Sequence, residues 1–240
     1  MNLDEIKKRV NEIIYSKTKV EYRNDIPKDQ YFTFENGVKG WVTSVFIDMV
    51  NSSEIFKEEN DENLARILRA FTAEVISIMN NDNTRQVGIR GDCVYAIYST
   101  PNQSDIHDVF RIAIELNTFV NKVLTPAISN TKFKDIQFGI GCASSQCLVI
   151  KAGKKGTGIN DTIWIGDAVV DASNLSGIAN HPKNNYSSLK YKNIALNETF
   201  YTNMIKADEQ KETYKIDWFQ KEKIGFGKKN EMVYFCDLNY

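Results

Sequence analysis

The chain has 240 residues, 42% of them hydrophobic and 25% charged, with a formal net charge of -1. That length fits one domain with extensions better than two full domains, and the apolar share supports a core without disulfides. The near-neutral balance excludes a general polyanion binder, so no nucleic-acid partner is expected, and affinity for phosphate must come from a local cluster.

The first residues, Met1-Asn2-Leu3-Asp4-Glu5, are acidic and carry no apolar signal region. No run approaches the roughly 18 apolar residues that span a bilayer. Cys93, Cys142, Cys147 and Cys236 form no C-x-x-C pair, and three of them sit in apolar runs. They read as buried free thiols. These features predict a reducing, cytoplasmic location and no membrane partner. His107 and His181 are the only histidines and read as surface residues, which argues against a histidine triad or a His-rich metal site.

In chain order, Leu3, Ile6, Val10, Ile13 and Ile14 fall at helical spacing, so residues 2–16 read as an amphipathic helix that packs on its own domain or on a partner. Residues 17–40 read as an irregular lead-in with room for a short strand. The expected division is an N-terminal helix and lead-in over 1–39 and one catalytic domain over 40–240. Residues 41–48 read as a buried strand. Leu64, Ile67, Leu68, Phe71, Val75, Ile78 and Met79 mark a helix that starts near 53 or 62 and ends near 80. Two short strands, 86–90 and 93–98, are joined by Gly91-Asp92, a link of hairpin length.

Ser104 reads as the N-cap of a second long helix that ends near Pro126. Residues 136–144 and 146–151 read as another pair of strands. A Gly/Lys loop follows, Gly153 to Gly158, without the Gly-Lys-Ser/Thr ending of a phosphate loop. Residues 167–179 read as a third helix. The last stretch alternates strands with a short helix near 197–205. The order β-α-β-β-α-β predicts an α+β fold, a ferredoxin-like split βαβ with extra C-terminal strands and an N-terminal helix.

The chemistry concentrates at the end of the 41–48 strand. Asp48 stands at its tip, and Asn51, Ser52 and Ser53 open the following segment, where free backbone N–H groups suit a phosphate. Asp92 lies in the hairpin turn. Taken alone, each acid has a plainer reading: a helix cap for Asp48, a turn acid for Asp92. In the split βαβ layout the strand tip meets the hairpin turn, so the two carboxylates face each other and read as ligands for hard divalent cations on a nucleotide triphosphate. Asp167, Asp171 and Asn174 fall on one face of the third helix, outward from the core. Gly225, Gly227, Lys228 and Lys229 precede the last strand, where a lysine suits phosphate or simple solvent exposure.

Three blocks, Phe46-Ile47-Asp48, Arg90-Gly91-Asp92 and the run from Gly166 to Leu175, resemble the signature blocks of class III nucleotidyl cyclases in order and spacing. The similarity spans about residues 40–237. The stretch from Ile150 to Gly166 most resembles the bacterial pyrimidine cyclases of Pycsar antiphage defence. The resemblance implies a homodimer with active sites between the subunits and UTP or CTP as substrate. It further implies two Mg²⁺ or Mn²⁺ ions per site held by Asp48, Asp92 and the backbone carbonyl of Met49. The partner's third helix, with Asn174, would face the ribose and α-phosphate.

Three departures stand out. Gly88 and Ile163 occupy the positions where purine cyclases carry base-reading side chains. Val170 and Asn174 occupy those of the usual transition-state Asn and Arg. An asparagine brings no charge, so either Lys151, Lys154, Lys155, Lys228 or Lys229 compensates or the rate is low. The competing expectations are an adenylate or guanylate cyclase with unusual base contacts, and a silent cyclase-like dimerisation module.

Overall fold

The computed structural model describes residues 1–50, 52, 60–132, 136–180, 192–209, 211–226 and 229–240. Helix α1 (Leu3–Ile14) is capped by Asn2, whose side chain accepts from the Glu5 N–H, and none of its residues is buried. Strand β1 (Lys19–Tyr22) pairs in parallel with the start of β2 (Asn36–Val50). β2 therefore begins within the expected lead-in and runs across residue 40. Helix α2 (Asp61–Met79) is capped by Asn60 and buries Ile67, Phe71, Val75 and Met79, a four-residue repeat that lines one side. Strands β3 (Thr84–Arg90) and β4 (Cys93–Ser99) form the expected hairpin.

Helix α3 (Gln103–Phe119) starts two residues earlier than Ser104 suggested. Asn102 is the cap, and the Asp105 carboxylate accepts from the Asn102 N–H at 2.8 Å, closing a capping box. The helix continues through a π-helical stretch, Val120–Leu124, and a last turn, Thr125–Ala127. The expected strand pair at 136–151 is instead one strand, β5 (Gln137–Gly153), paired with β2 from Gly37 to Val50. Strand β6 (Asn160–Ile165), helix α4 (Asp167–Ile178), strand β7 (Ile194–Asn197), helix α5 (Glu198–Asp208) and strands β8 (Gln220–Phe226) and β9 (Lys229–Cys236) complete the chain.

The sheet order is β3-β4-β2-β5-β7-β9-β8, with β1 added to β2 and β6 to β5. Within it, β3-β4-β2-β5 is antiparallel throughout, and α2 and α3 make the two crossovers. This is the split βαβ arrangement expected from sequence. Alternation along β2 divides the core. Val45, Ile47 and Met49 pack with Phe71 and Phe110 of α2 and α3 on one face, while Phe46 packs with Ala172 and Leu175 of α4 on the other. α4 lies almost backbone to backbone on β5. A Cβ on Gly139 would come within 2.1 Å of the Ser176 carbonyl oxygen.

Candidate active site

β2 alternates, so Asp48 shares the α4 face with Phe46. Pairing of β2 with β4 stops at Ile47–Val94, which leaves the tip of β2 beside the β3–β4 turn. That turn pairs Arg90 with Cys93 and places Gly91 at φ +65, while Asp92 keeps an ordinary φ. A positive φ at the first central position alone is the pattern of a type II′ turn, where glycine is favoured.

The two carboxylates feel each other. Burial, and then the nearby Asp92 charge, raise the Asp48 carboxyl to about 6, while the hydrogen bond from the Met49 N–H opposes both. That N–H reaches Asp48 Oδ1 at 3.1 Å. Burial, and then the charges of Asp48 and Asp92, push the adjacent Cys93 thiol up to about 12, so it stays protonated at neutral pH. The donor set is thus two crowded carboxylate groups whose repulsion a divalent cation would relieve.

A second set lies on the same face. Gly88 sits beneath the ring of Tyr95, where a Cβ would come within 2.3 Å of Tyr95 Cζ. Tyr95 stacks on Phe46 with centroids 5.0 Å apart. An isolated glycine inside a strand signals such a close approach, and that signal was available at Gly88. Beside it, β3, β6 and the lead-in enclose a notch of about 70 Å³ lined by Gln86, Asp161, Trp164, Arg85 and Phe32 among others.

Residues 35–235 match the adenylate and guanylate cyclase catalytic domain family. The chain belongs to that family. It is a nucleotide cyclase, a phosphorus–oxygen lyase. It is 45% identical over 192 residues to a uridylate cyclase of Treponema porcinum, covering 78% of this chain and 67% of that protein. It is 30% identical over 230 residues to a uridylate cyclase of Gulbenkiania mobilis, covering 92% of this chain and 87% of that one. Its fold matches the adenylyl cyclase CyaB of P. aeruginosa with a TM-score of 0.63 at 19% identity, covering 83% of this chain and 94% of that chain.

The remaining candidates of the cyclase are dispersed. Met49 is buried and Ser52 half-buried, while Asn51, Ser53 and Lys228 lie outside the described residues. Asn174 and Val170 are exposed on α4. Lys151 lies 3.7 Å from Asp29 and Lys155 lies 3.1 Å from Glu35, so each already faces a carboxylate. Among the described residues no helix is long and apolar enough to cross a membrane.

Two expectations are corrected. Asp171 is buried rather than outward, because Asn197 Nδ2 donates to its Oδ2 at 3.3 Å while Asn197 Oδ1 caps α5 through the Phe200 N–H. It ties α4 to the β7–α5 junction. His107 is also buried, with Nε2 at 3.3 Å from Asp208 Oδ1, and it links the start of α3 to the end of α5.

Proposed function

We propose that this cyclase converts UTP, or CTP, to the 3′,5′-cyclic nucleotide and pyrophosphate. The observation that carries the reading is the convergence of Asp48 and Asp92 at one end of the sheet. The relatives named uridylate cyclases support a pyrimidine substrate. The resemblance to the Pycsar branch supports a role for the product as a second messenger in bacterial antiviral defence.

Asp48, Asp92 and the Met49 carbonyl would hold two Mg²⁺ or Mn²⁺ ions. When bound, such ions polarise the ribose 3′-hydroxyl and neutralise charge on the triphosphate. The 3′-oxygen attacks the α-phosphorus, the bond from the α-phosphorus to the bridging oxygen breaks so that pyrophosphate leaves with that oxygen, and the hydroxyl proton passes to solvent. The protein's own share is positioning. Asn51, Ser52 and Ser53 would offer hydrogen-bond donors to the triphosphate, with Lys228 as a cation. Asn174, from the second copy in a homodimer, would donate a neutral hydrogen bond near the ribose and α-phosphate.

The test is to incubate purified protein with each of the four ribonucleoside triphosphates and Mn²⁺ and identify products by mass spectrometry. Cyclic UMP or cyclic CMP is the expected product. Cyclic AMP or cyclic GMP alone, or no product with any of the four, would reject the reading.

A further inference from the structure

Helix α1 (Leu3–Ile14) has twelve residues and buries none of them. Leu3, Val10, Ile13 and Ile14 are 46–73% exposed. None of its side chains joins an apolar cluster of the core. Among the described residues its hydrogen bonds close within residues 2–16, and its ion pair, Arg9 to Glu5 at 3.9 Å, spans one turn of the helix itself. A helix this short is marginal in water unless packing holds its apolar face. The face is built to be covered, and the chain's own domain does not cover it.

The spacing of the face says what covers it. Leu3, Ile6, Val10 and Ile13 fall 3, 4 and 3 residues apart, the a and d positions of two heptads. Helix α2, which packs on its own sheet, instead repeats every fourth residue at Ile67, Phe71, Val75 and Met79. A period of about 3.5 keeps a seam turned toward one other helix. The charges then choose the direction. In an antiparallel pair with Leu3 against Ile13, the flanking positions would set Lys7 against Lys7 and Arg9 against Arg9. In a parallel pair they set Arg9 against the partner's Ile14 and Asn2 against the partner's Lys7, with no like charges opposed. The arginine stem lies readily over that isoleucine. A membrane surface fits less well, because Lys7, Lys8 and Arg9 are balanced by Asp4, Glu5 and Glu12.

We propose that α1 pairs in parallel with α1 of a second copy of this chain, forming a short two-stranded coiled coil beside the catalytic domains. Isoleucine at both d positions does not select two strands by itself; the two-fold pairing of the cyclase domains does. Two heptads also bind weakly alone. Residues 15–18 join α1 to β1, so once the domains meet, the helices face each other at an effective concentration of about millimolar. The coil in turn holds the domains together at protein concentrations where they would otherwise separate. A site shared between subunits is complete only in the dimer, so α1 sets the protein concentration at which turnover begins. The pairing of α1 stands on its own residues, while this last consequence rests on the shared-site reading above.

Two measurements on the full chain keep the pairing and the reaction apart. In the first, Val10→Cys is oxidised with copper phenanthroline and run on a non-reducing gel, with the wild type as the baseline for Cys93 and Lys8→Cys as an outward-facing control. Val10→Cys is expected to form covalent dimers about tenfold faster than Lys8→Cys, because the seam holds the two thiols together. Equal rates would overturn the seam. Cross-linking that needs a mixture of Val10→Cys with Ile6→Cys would overturn the parallel direction. The second measurement is sedimentation, with turnover of UTP and Mn²⁺ followed over a dilution series. Val10→Glu with Ile13→Glu, at exposed positions outside the core, is expected to raise the dimer dissociation constant by about tenfold or more. Its turnover should match the wild type at high protein concentration and fall below it on dilution, whereas Lys8→Glu should follow the wild type throughout. An unchanged dissociation constant would overturn the proposal and leave the cyclase reading standing. Absence of turnover in every chain, with Val10→Cys still cross-linking, would reject the cyclase reading and uphold the α1 pair.

Discussion

The carbonyl oxygen of Ala172 lies 2.1 Å from the point where a Cβ on Gly141 would sit. No L side chain fits that gap, so α4 rests on β5 only because glycine is there. Gly141→Ala must lift the helix or bend the strand, since the obstructing atoms are backbone. We expect a stability loss of ~1–3 kcal/mol, typical of overpacking, read as a lower urea midpoint with an unchanged m-value. Gly177, on the same helix, meets nothing within 4 Å. Gly177→Ala should instead stabilise by about 0.4–1 kcal/mol through helix propensity and chain entropy. Equal effects at the two positions would mean that the close approach of α4 to β5 is not real.

The frame of the fold was legible in the sequence, and particular residues show why. The α2 stripe of Ile67, Phe71 and Val75 repeats cleanly, and Gly91-Asp92 joins two strands at hairpin length. The strand break expected near residue 145 does not exist. Ser144, the last residue of the first expected strand, continues into the second, its hydroxyl buried 2.7 Å from the Thr43 hydroxyl, which in turn meets Thr100 at 2.8 Å. Hydroxyl groups that satisfy one another stay inside a strand, and periodicity treats them as outside. His107 and Asp171 were misread for the same reason. Their partners, Asp208 and Asn197, are 101 and 26 residues away, and no local pattern records a long-range hydrogen bond. In the candidate site, Asp48 and Asp92 were legible because strand tip and hairpin turn follow from topology. The Gln86–Trp164 contact was not, since β6 reaches β3 across the α4 face, 78 residues on.

Asp48→Ala and Asp92→Ala should each abolish pyrophosphate release, leaving less than about 1% of wild-type turnover, because each removes one of the two carboxylates proposed to hold the metal ions. Neither should unfold the protein: both residues are only partly buried, and the core packing around Ile47 and Val94 is untouched. Thermal melting distinguishes the causes. Mn²⁺ should raise the wild-type melting temperature and leave that of either variant unmoved. Near-normal turnover in either variant would remove the metal pair from the mechanism.

The raised Asp48 carboxyl sets a pH dependence whose sign is opposite to that of a salt-bridged acid. Its ordinary value is 3.8 and the folded, metal-free value is about 6. The fold therefore favours the protonated form, and the stability this group contributes is present at low pH and lost as pH rises from about 4 through about 6. A cation reverses the balance, because it must displace the proton to bind. Mn²⁺ affinity should fall by roughly tenfold per pH unit below about 6 and level off above it. A titration of Mn²⁺ by electron paramagnetic resonance between pH 5 and pH 8 measures this. Affinity that stays flat from pH 5 to pH 7 would mean that Asp48 is not the residue that binds.

A site shared between two subunits makes a prediction that a site within one chain does not. Asp92→Ala damages the carboxylate side. Asn174→Glu, on the exposed face of α4, puts a negative charge where the partner's triphosphate is expected and damages the other side. Each variant alone should be nearly inactive. When the two are mixed and exchanged, half the dimers are heterodimers, and each of these carries one site with both lesions and one with neither. Turnover should therefore recover to about a quarter of the wild-type value at equal total protein, as two-fold symmetry requires. The mixture is assayed for cyclic product after subunit exchange, with heterodimer formation followed by differently tagged chains. Heterodimers that form in the expected proportion yet show no recovery would place both groups in the same subunit's site, and the homodimeric arrangement would have to be abandoned.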